Sequence, residues 1–259
     1  MQRIGWLRIG MAMVSALLVL FIAGPVLRLL VYATPPELQA ALADPELRAA
    51  IALTLFTATA ATLIGLALGL PLAYALARTQ FWGRHVVTGL LDLPIVLPHP
   101  VAGLALLLFL GRQTAIGRVL AFWGIEVVNH IPGIIAAMLF VSVPLIVHAA
   151  RDAFRAVDPQ LERVARSLGD NGWQAFRRIT LPLAGRGVLT GAIMAWARSV
   201  SEFGAIVILT YNPKVASVYL YDRFTLSGLP AAIPAAAILL LVSLAVLGVV
   251  RFIRPREPA

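Results

Sequence analysis

The chain has 259 residues, of which 60% are hydrophobic and 13% charged, with a mean hydropathy of +0.90 and a formal net charge of +9. A soluble domain runs about 45–50% apolar and about 25% charged, so this composition belongs to an integral membrane protein. Cysteine is absent, which excludes disulfide frameworks, cysteine–zinc clusters and thiol chemistry, and the four histidines (His85, His99, His130 and His148) stand isolated, without ligand spacing.

Crossing a bilayer takes about 20 mostly apolar residues. Six stretches qualify: 9–30, 49–77, 94–110, 131–149, 187–210 and 231–252. Arg3 and Arg8 precede the first. Its apolar run is longer than the roughly 7–15 residues of a signal-peptide core and no small-x-small cleavage site follows, so it reads as a retained helix. The second is rich in small residues, among them Thr54, Thr57, Ala58, Ala61 and Gly65. Such residues let helices approach closely in lipid, which makes this helix a seam within a bundle or a dimer.

The third span opens with DLPIVLPHPVAG (92–103), where Pro94, Pro98 and Pro100 rule out an uninterrupted helix. A broken helix entry packed against protein satisfies the freed backbone groups. It serves either as a pathway or hinge element or as a kinked packing helix. In the fifth span, ARSVSEFGA (197–205) sets Arg198, Ser201, Glu202 and Ala205 on one helical face. Charges at membrane depth face the interior and pair, so Arg198 and Glu202 form either a polar strip beside a translocation path or a structural ion pair. With Pro98 and Pro100, the residues Arg198, Ser201 and Glu202 are the translocation-path candidates.

Orientation follows from Lys and Arg near the helix ends. One alternating set of ends carries Arg3, Arg8, Arg78, Arg84, Arg151, Arg155, Arg163, Arg166, Arg177, Arg178, Arg186, Arg251, Arg254 and Arg256. The other carries only Arg28, Arg48, Arg112, Arg118, Lys214 and Arg223. The richer side is cytoplasmic and holds both termini. Because the acids at the helix ends, Glu257 included and Asp92 and Glu202 set apart, divide evenly between the two sides, the net positive charge reports topology and says nothing about substrate. No aromatic–basic platform supports nucleic-acid binding. The sole lysine, Lys214, lies in YNPKVAS rather than in a Gly-rich phosphate loop, so any ATP and magnesium must sit on another polypeptide and the chain itself is neither an enzyme nor a cofactor carrier.

Residues 157–182 interrupt the apolar pattern, and 161–183 read LERVARSLGDNGWQAFRRITLPL. Asp158 is a good N-cap and Pro159 a good first helical residue. Leu161, Val164, Ala165 and Leu168 then form an apolar stripe, and Gly169 stands where a left-handed residue stops a helix. Asn171 and Gln174 form a capping-box pair for a second short helix, which Pro182 ends. An isolated helix of about ten residues is marginal in water. Its stripe needs either the headgroup layer or a groove on a partner protein, and the hard stop at Gly169 suits a defined knob for a partner.

This segment resembles the cytoplasmic signature of ABC-importer permeases: Glu-Ala-Ala, three residues, Gly, nine residues, Ile, one residue, Leu-Pro. Ala165, Gly169, Ile179, Leu181 and Pro182 match. Arg163 and Val164 stand in the first two positions, and Glu162 lies one residue early. DLPIVLPHPVAG, MLFVSVPL (138–145), LERVARSLG and ARSVSEFGA resemble the molybdate/tungstate branch, with sulfate/thiosulfate permeases close by. The resemblance implies an all-α, six-helix, type I importer-like permease domain over residues 1–259. It implies a homodimer with two cytoplasmic ATP-binding subunits and an extracytoplasmic oxyanion-binding protein. Leu161, Glu162, Arg163, Val164, Ala165, Leu168 and Gly169 would contact the ATPase, while Asp158, Pro159, Ile179, Leu181 and Pro182 would shape the segment. A self-contained transporter driven by an ion gradient is the competing class. It is disfavoured because Asp92 and Glu202 are few acids for a proton relay. A membrane enzyme lacks any Ser/His/Asp cluster or paired carboxylates.

Overall fold

The computed structural model describes residues 2–253, with side chains over 8–246 and at 248. Arg254, Arg256 and Glu257 lie outside the described residues, as do the side chains of Arg3 and Arg251. Every regular element among the described residues is helical, and two compact units divide them.

The first unit takes the residues up to Ala49 together with Tyr219–Val249. It opens with helix α1 (Gln2–Tyr32), whose apolar stretch holds no buried residue. Helix α2 (Pro35–Ala43) begins on a proline, and the Glu37 carboxylate reaches back to the Thr34 N–H at 3.0 Å. Helix α3 (Pro45–Arg78) starts here and runs on into the second unit. Helix α12 (Ala216–Ile253) bends at Gly228, whose φ of +78° is a left-handed conformation that glycine adopts without penalty. Asp44 fixes the α2–α3 corner to α12 by accepting hydrogen bonds from the Tyr219 hydroxyl and the Arg223 guanidinium, each at 2.6 Å. The Tyr219 hydrogen bond is the main reason the Asp44 carboxyl titrates below its ordinary range.

The second unit holds the rest of α3, then α4 (Arg84–Val96), α5 (His99–Leu110), α6 (Ala115–Phe122), α7 (Ile131–Ala156), α8 (Pro159–Ser167), α9 (Gly172–Ala175), α10 (Leu181–Val200) and α11 (Gly204–Leu209). Helix α7 is its axis, burying Ile134, Met138, Ile146, Val147 and Phe154 completely. Helix α10 lies against it because Gly187 and Gly191 leave room. A Cβ at either would stand 2.5 or 2.6 Å from the Cβ of Ala153 or Ala149. The small face of α3 is a seam within the chain. Ala58 and Ala61 are fully buried, and the hydroxyls of Thr54, Thr57 and Thr62 fold back onto carbonyls one turn earlier. That return bond hides their polarity within the helix itself.

Five helices are long and apolar enough to cross a membrane, and the count is six when the bent pair of α5 with α6, at 67°, is taken as one span. Three details depart from the sequence-based reading. The break in the proline-rich stretch falls at Leu97–Pro98, after a separate helix α4 that contains Pro94. Pro182 does not end a helix. Phe176–Thr180 form one π-helical turn, and the Leu181 N–H reaches the Phe176 carbonyl five residues back. This wider turn accommodates the proline ring, which would clash with the carbonyl four residues earlier in an α-helix. Residues 172–200 therefore run on as one helical span. The fifth span, expected over 187–210, instead stops at Val200 and restarts at Gly204.

Candidate functional site

The segment between α7 and α10 is built by its caps. The Asp158 carboxylate accepts the Gln160 N–H at 2.8 Å, with Pro159 as the first helical residue. Gly169 adopts φ +102°. The Gly169 N–H bonds to the Arg166 carbonyl and the Asp170 N–H to the Ala165 carbonyl, both at 3.1 Å, the pair of bonds that closes a helix on a left-handed glycine. Asn171 and Gln174 exchange the expected capping-box bonds at 2.7 and 2.9 Å. Helix α8 is thus stopped at both ends.

Its faces are used differently. Leu161, Val164 and Leu168 point outward, Leu168 being 84% exposed, whereas Ala165 is buried. Arg163 and Gly169 are exposed. Glu162 differs from the sequence-based expectation of an outward contact, because it is turned into the chain. Its Oε1 accepts from Thr180 Oγ1 at 2.5 Å and from Arg78 Nε at 3.0 Å, and its Oε2 accepts from the Tyr74 hydroxyl at 2.8 Å. Arg78 also donates to the Val157 carbonyl at 2.9 Å. Burial alone would raise the pKa of Glu162, but the bonds from Thr180 and Tyr74 and the charge of Arg78 outweigh it and hold it below the ordinary glutamate value. One carboxylate therefore joins α8 to the end of α3 and to the π turn that opens α10. The physical reason for its inward turn is the satisfied set of donors waiting there. Sequence reasoning missed Tyr74, Arg78 and Thr180. The available signal was the i, i+4 spacing of Tyr74 and Arg78 at the end of an apolar span. Ile179 and Leu181 are half-buried, and Pro182 is exposed.

The second polar cluster lies where α10 gives way to α11. Arg198 and Glu202 pair at 2.7 Å. They do not share a continuous helical face with Ala205, because the helix has ended at Val200. The fully buried Glu202 accepts the Ala205 N–H at 2.8 Å, and its carbonyl takes the Ser217 hydroxyl at 2.8 Å. The carboxylate thereby supports the first turn of α11, which explains the break. Ser201 is exposed and bonds back to the Arg198 carbonyl at 3.0 Å. His99, expected to be isolated, contacts Arg198 through its Nε2. Glycine brings these pieces together: a Cβ at Gly204 would stand 2.7 Å from His99 Cβ and 3.1 Å from Pro100 Cδ. Pro98 caps α5 at the break. Two further histidines have acidic neighbours, His148 with Asp92 at 2.6 Å and His130 with Glu126 at 3.1 Å. Among the described residues, no group of three His, Asp or Glu side chains could hold a metal ion.

Comparisons with known proteins agree with this architecture. Residues 65–257 match the family described as binding-protein-dependent transport system inner membrane component. The chain is 43% identical over 248 residues to the molybdate/tungstate transport system permease protein WtpB of Pyrococcus furiosus, covering 95% of this chain and 94% of that protein. It is 34% identical over 205 residues to a probable sulfate transport system permease protein of Chlorella vulgaris, covering 78% and 77%. In fold it is similar to a bacterial ABC transporter involved in the import of the acidic polysaccharide alginate. That likeness has a TM-score of 0.73 at 21% identity and covers 96% of each chain. The chain therefore belongs to the binding-protein-dependent transport system inner membrane component family and is a multi-pass permease of the ABC-importer class.

Proposed function

We propose that this permease passes molybdate and tungstate across the membrane by ATP-driven alternating access. In this reading residues 1–259 serve as one permease domain and two copies form a homodimer. Two ATP-binding subunits, carrying the ATP and magnesium, engage the α8 side, and an oxyanion-binding protein delivers substrate on the other. The α8 side, with both termini, is cytoplasmic.

The observation that carries the coupling role is the two-sidedness of α8. Leu161, Val164 and Leu168 form an exposed apolar stripe on a capped helix, the kind of surface that fills a groove on a partner. Glu162 bonds the opposite side of that helix to α3 and to the start of α10. A push on the stripe is therefore delivered to two long helices, as rigid-body switching requires. The substrate rests on the WtpB relative, whose name specifies molybdate and tungstate. Sulfate is the second reading, on the strength of the sulfate permease relative at lower identity. Arg198, backed by buried Glu202 and flanked by His99, Pro98, Pro100 and Ser201, is the cationic group proposed to meet the passing oxyanion.

The test is uptake of labelled molybdate into proteoliposomes holding the permease, its ATP-binding subunit and its binding protein. Uptake should need ATP and should be competed by tungstate far better than by sulfate. Uptake by the permease alone, collapsing with a proton gradient, would refute the ATP-driven reading. Preferential competition by sulfate would replace the substrate.

A further inference from the structure

Two cavities of opposite character meet at one side chain on the α8 side of the second unit. The first is an apolar groove of about 650 Å³ between the end of α3 and the stretch 172–181, lined by Leu66, Leu70, Pro71, Phe176 and Leu181 among others. The second is a polar recess of about 530 Å³ lined by Asn171, Gln174, Arg177 and Arg178. Trp173 borders both. It is 67% exposed and stacks on Phe176 with ring centroids 5.6 Å apart. Arg178 pairs with Asp170 at 2.6 Å, while Arg177 is exposed and lines the recess beside it.

We infer that this composite site binds one anionic phospholipid, its phosphate at Arg177 and Arg178 and one acyl chain in the groove along α3. The chemistry is complementary from end to end. The residues from Leu66 to Tyr74 cover about 12 Å of helix axis, most of the half-thickness of a hydrocarbon core of about 30 Å. A tryptophan between an apolar slot and a charged recess is where an amphipathic ring rests at the headgroup level. Adjacent arginines present planar donors matched to phosphate oxygens, and basic pockets between membrane helices take anionic headgroups. Within the π turn Phe176 lines the groove while Arg177 and Arg178, the next two residues, line the recess. A zwitterionic lipid would fill the same groove without supplying net charge for the two arginines of the recess.

The test uses the full-length protein in nanodiscs, reading the Trp173 component of fluorescence as the difference between wild type and Trp173→Phe. Phosphatidylglycerol brominated in mid-chain should quench that component several-fold more than phosphatidylcholine brominated at the same carbons. In Arg177→Gln/Arg178→Gln the two lipids should quench equally, while Arg186→Gln should keep the preference. Native mass spectrometry supplies an independent reading: wild type should retain phosphatidylglycerol through delipidation, and Leu70→Trp, which fills the groove, should lose it. Equal quenching by both lipids in wild type, or a preference that survives loss of both arginines, would overturn the assignment. So would protection of Trp173 from either lipid by a second copy of the chain or another protein, or displacement of the lipid by inorganic phosphate at constant ionic strength.

Discussion

Arg78 and Glu162, 84 residues apart in sequence, meet at 2.8 Å with side chains only 11% and 13% exposed. Their pairing makes α3 and α8 one mechanical piece. Removing one member of a buried pair strands the other charge, at a cost of about 3–5 kcal/mol. Arg78→Ala and Glu162→Ala should each lower thermal stability in detergent by that order and abolish ATP-dependent uptake. Replacing both together, as Arg78→Met/Glu162→Leu, should restore most of the stability without restoring uptake. Recovery of full transport by the apolar double variant would show that the joint is dispensable.

The same carboxylate gives the fold a defined acid response. Glu162 titrates below its ordinary value in the folded chain, so its stabilisation is complete above the unfolded glutamate pKa of about 4.3. It is lost as the pH falls through the lowered folded value. The difference in unfolding temperature between wild type and Glu162→Gln should be constant from pH 7 to about pH 5 and shrink below that. A difference that grows on acidification would contradict the assigned hydrogen bonding.

Gly169 stops α8 with φ +102°, and a Cβ there would touch nothing within 4 Å. A substitution is therefore opposed by backbone strain alone, about 1–3 kcal/mol for a non-glycine residue. Gly169→Val should leave the membrane helices intact by circular dichroism but lower uptake and co-purification of the ATP-binding subunit. Gly169→Asn, which tolerates the left-handed region better, should fall between.

Glycines within the bundle sort by their neighbours. At Gly103 a Cβ would stand 2.5 Å from the Ala205 carbonyl oxygen, on backbone that has little room to move. Gly103→Ala should destabilise by about 1–3 kcal/mol and disturb the adjoining Arg198–Glu202 cluster. Gly185→Ala, in open space on α10, should be neutral or stabilising by up to about 1 kcal/mol. Equal effects in thermal unfolding would contradict the close packing of α5 on α11.

Local rules carried much of this architecture into the sequence. The caps at Asp158 and Asn171 and the stop at Gly169 appear where side-chain chemistry placed them, because each involves residues within a few positions of one another. The chain breaks were less legible. Pro182 announces an ending only under α-helical geometry, and a π turn removes the clash. The sequence places Arg198, Ser201, Glu202 and Ala205 at i, i+3, i+4 and i+7, yet the buried Glu202 carboxylate accepts the Ala205 N–H in the first turn of a new helix rather than extending the old one. Least legible were long-range partners. Nothing in LERVARSLG indicates that Glu162 turns toward Tyr74, Arg78 and Thr180, since that choice depends on how α3 and α10 pack.

The central claim, that α8 transmits ATP-driven motion through its exposed stripe, is tested most directly by Val164→Glu/Leu168→Glu. Both side chains are exposed, so the permease should fold and elute as wild type does. It should no longer co-purify with the ATP-binding subunit, and ATP-dependent molybdate uptake into proteoliposomes should fall to background. Uptake and co-purification at wild-type levels would contradict the claim.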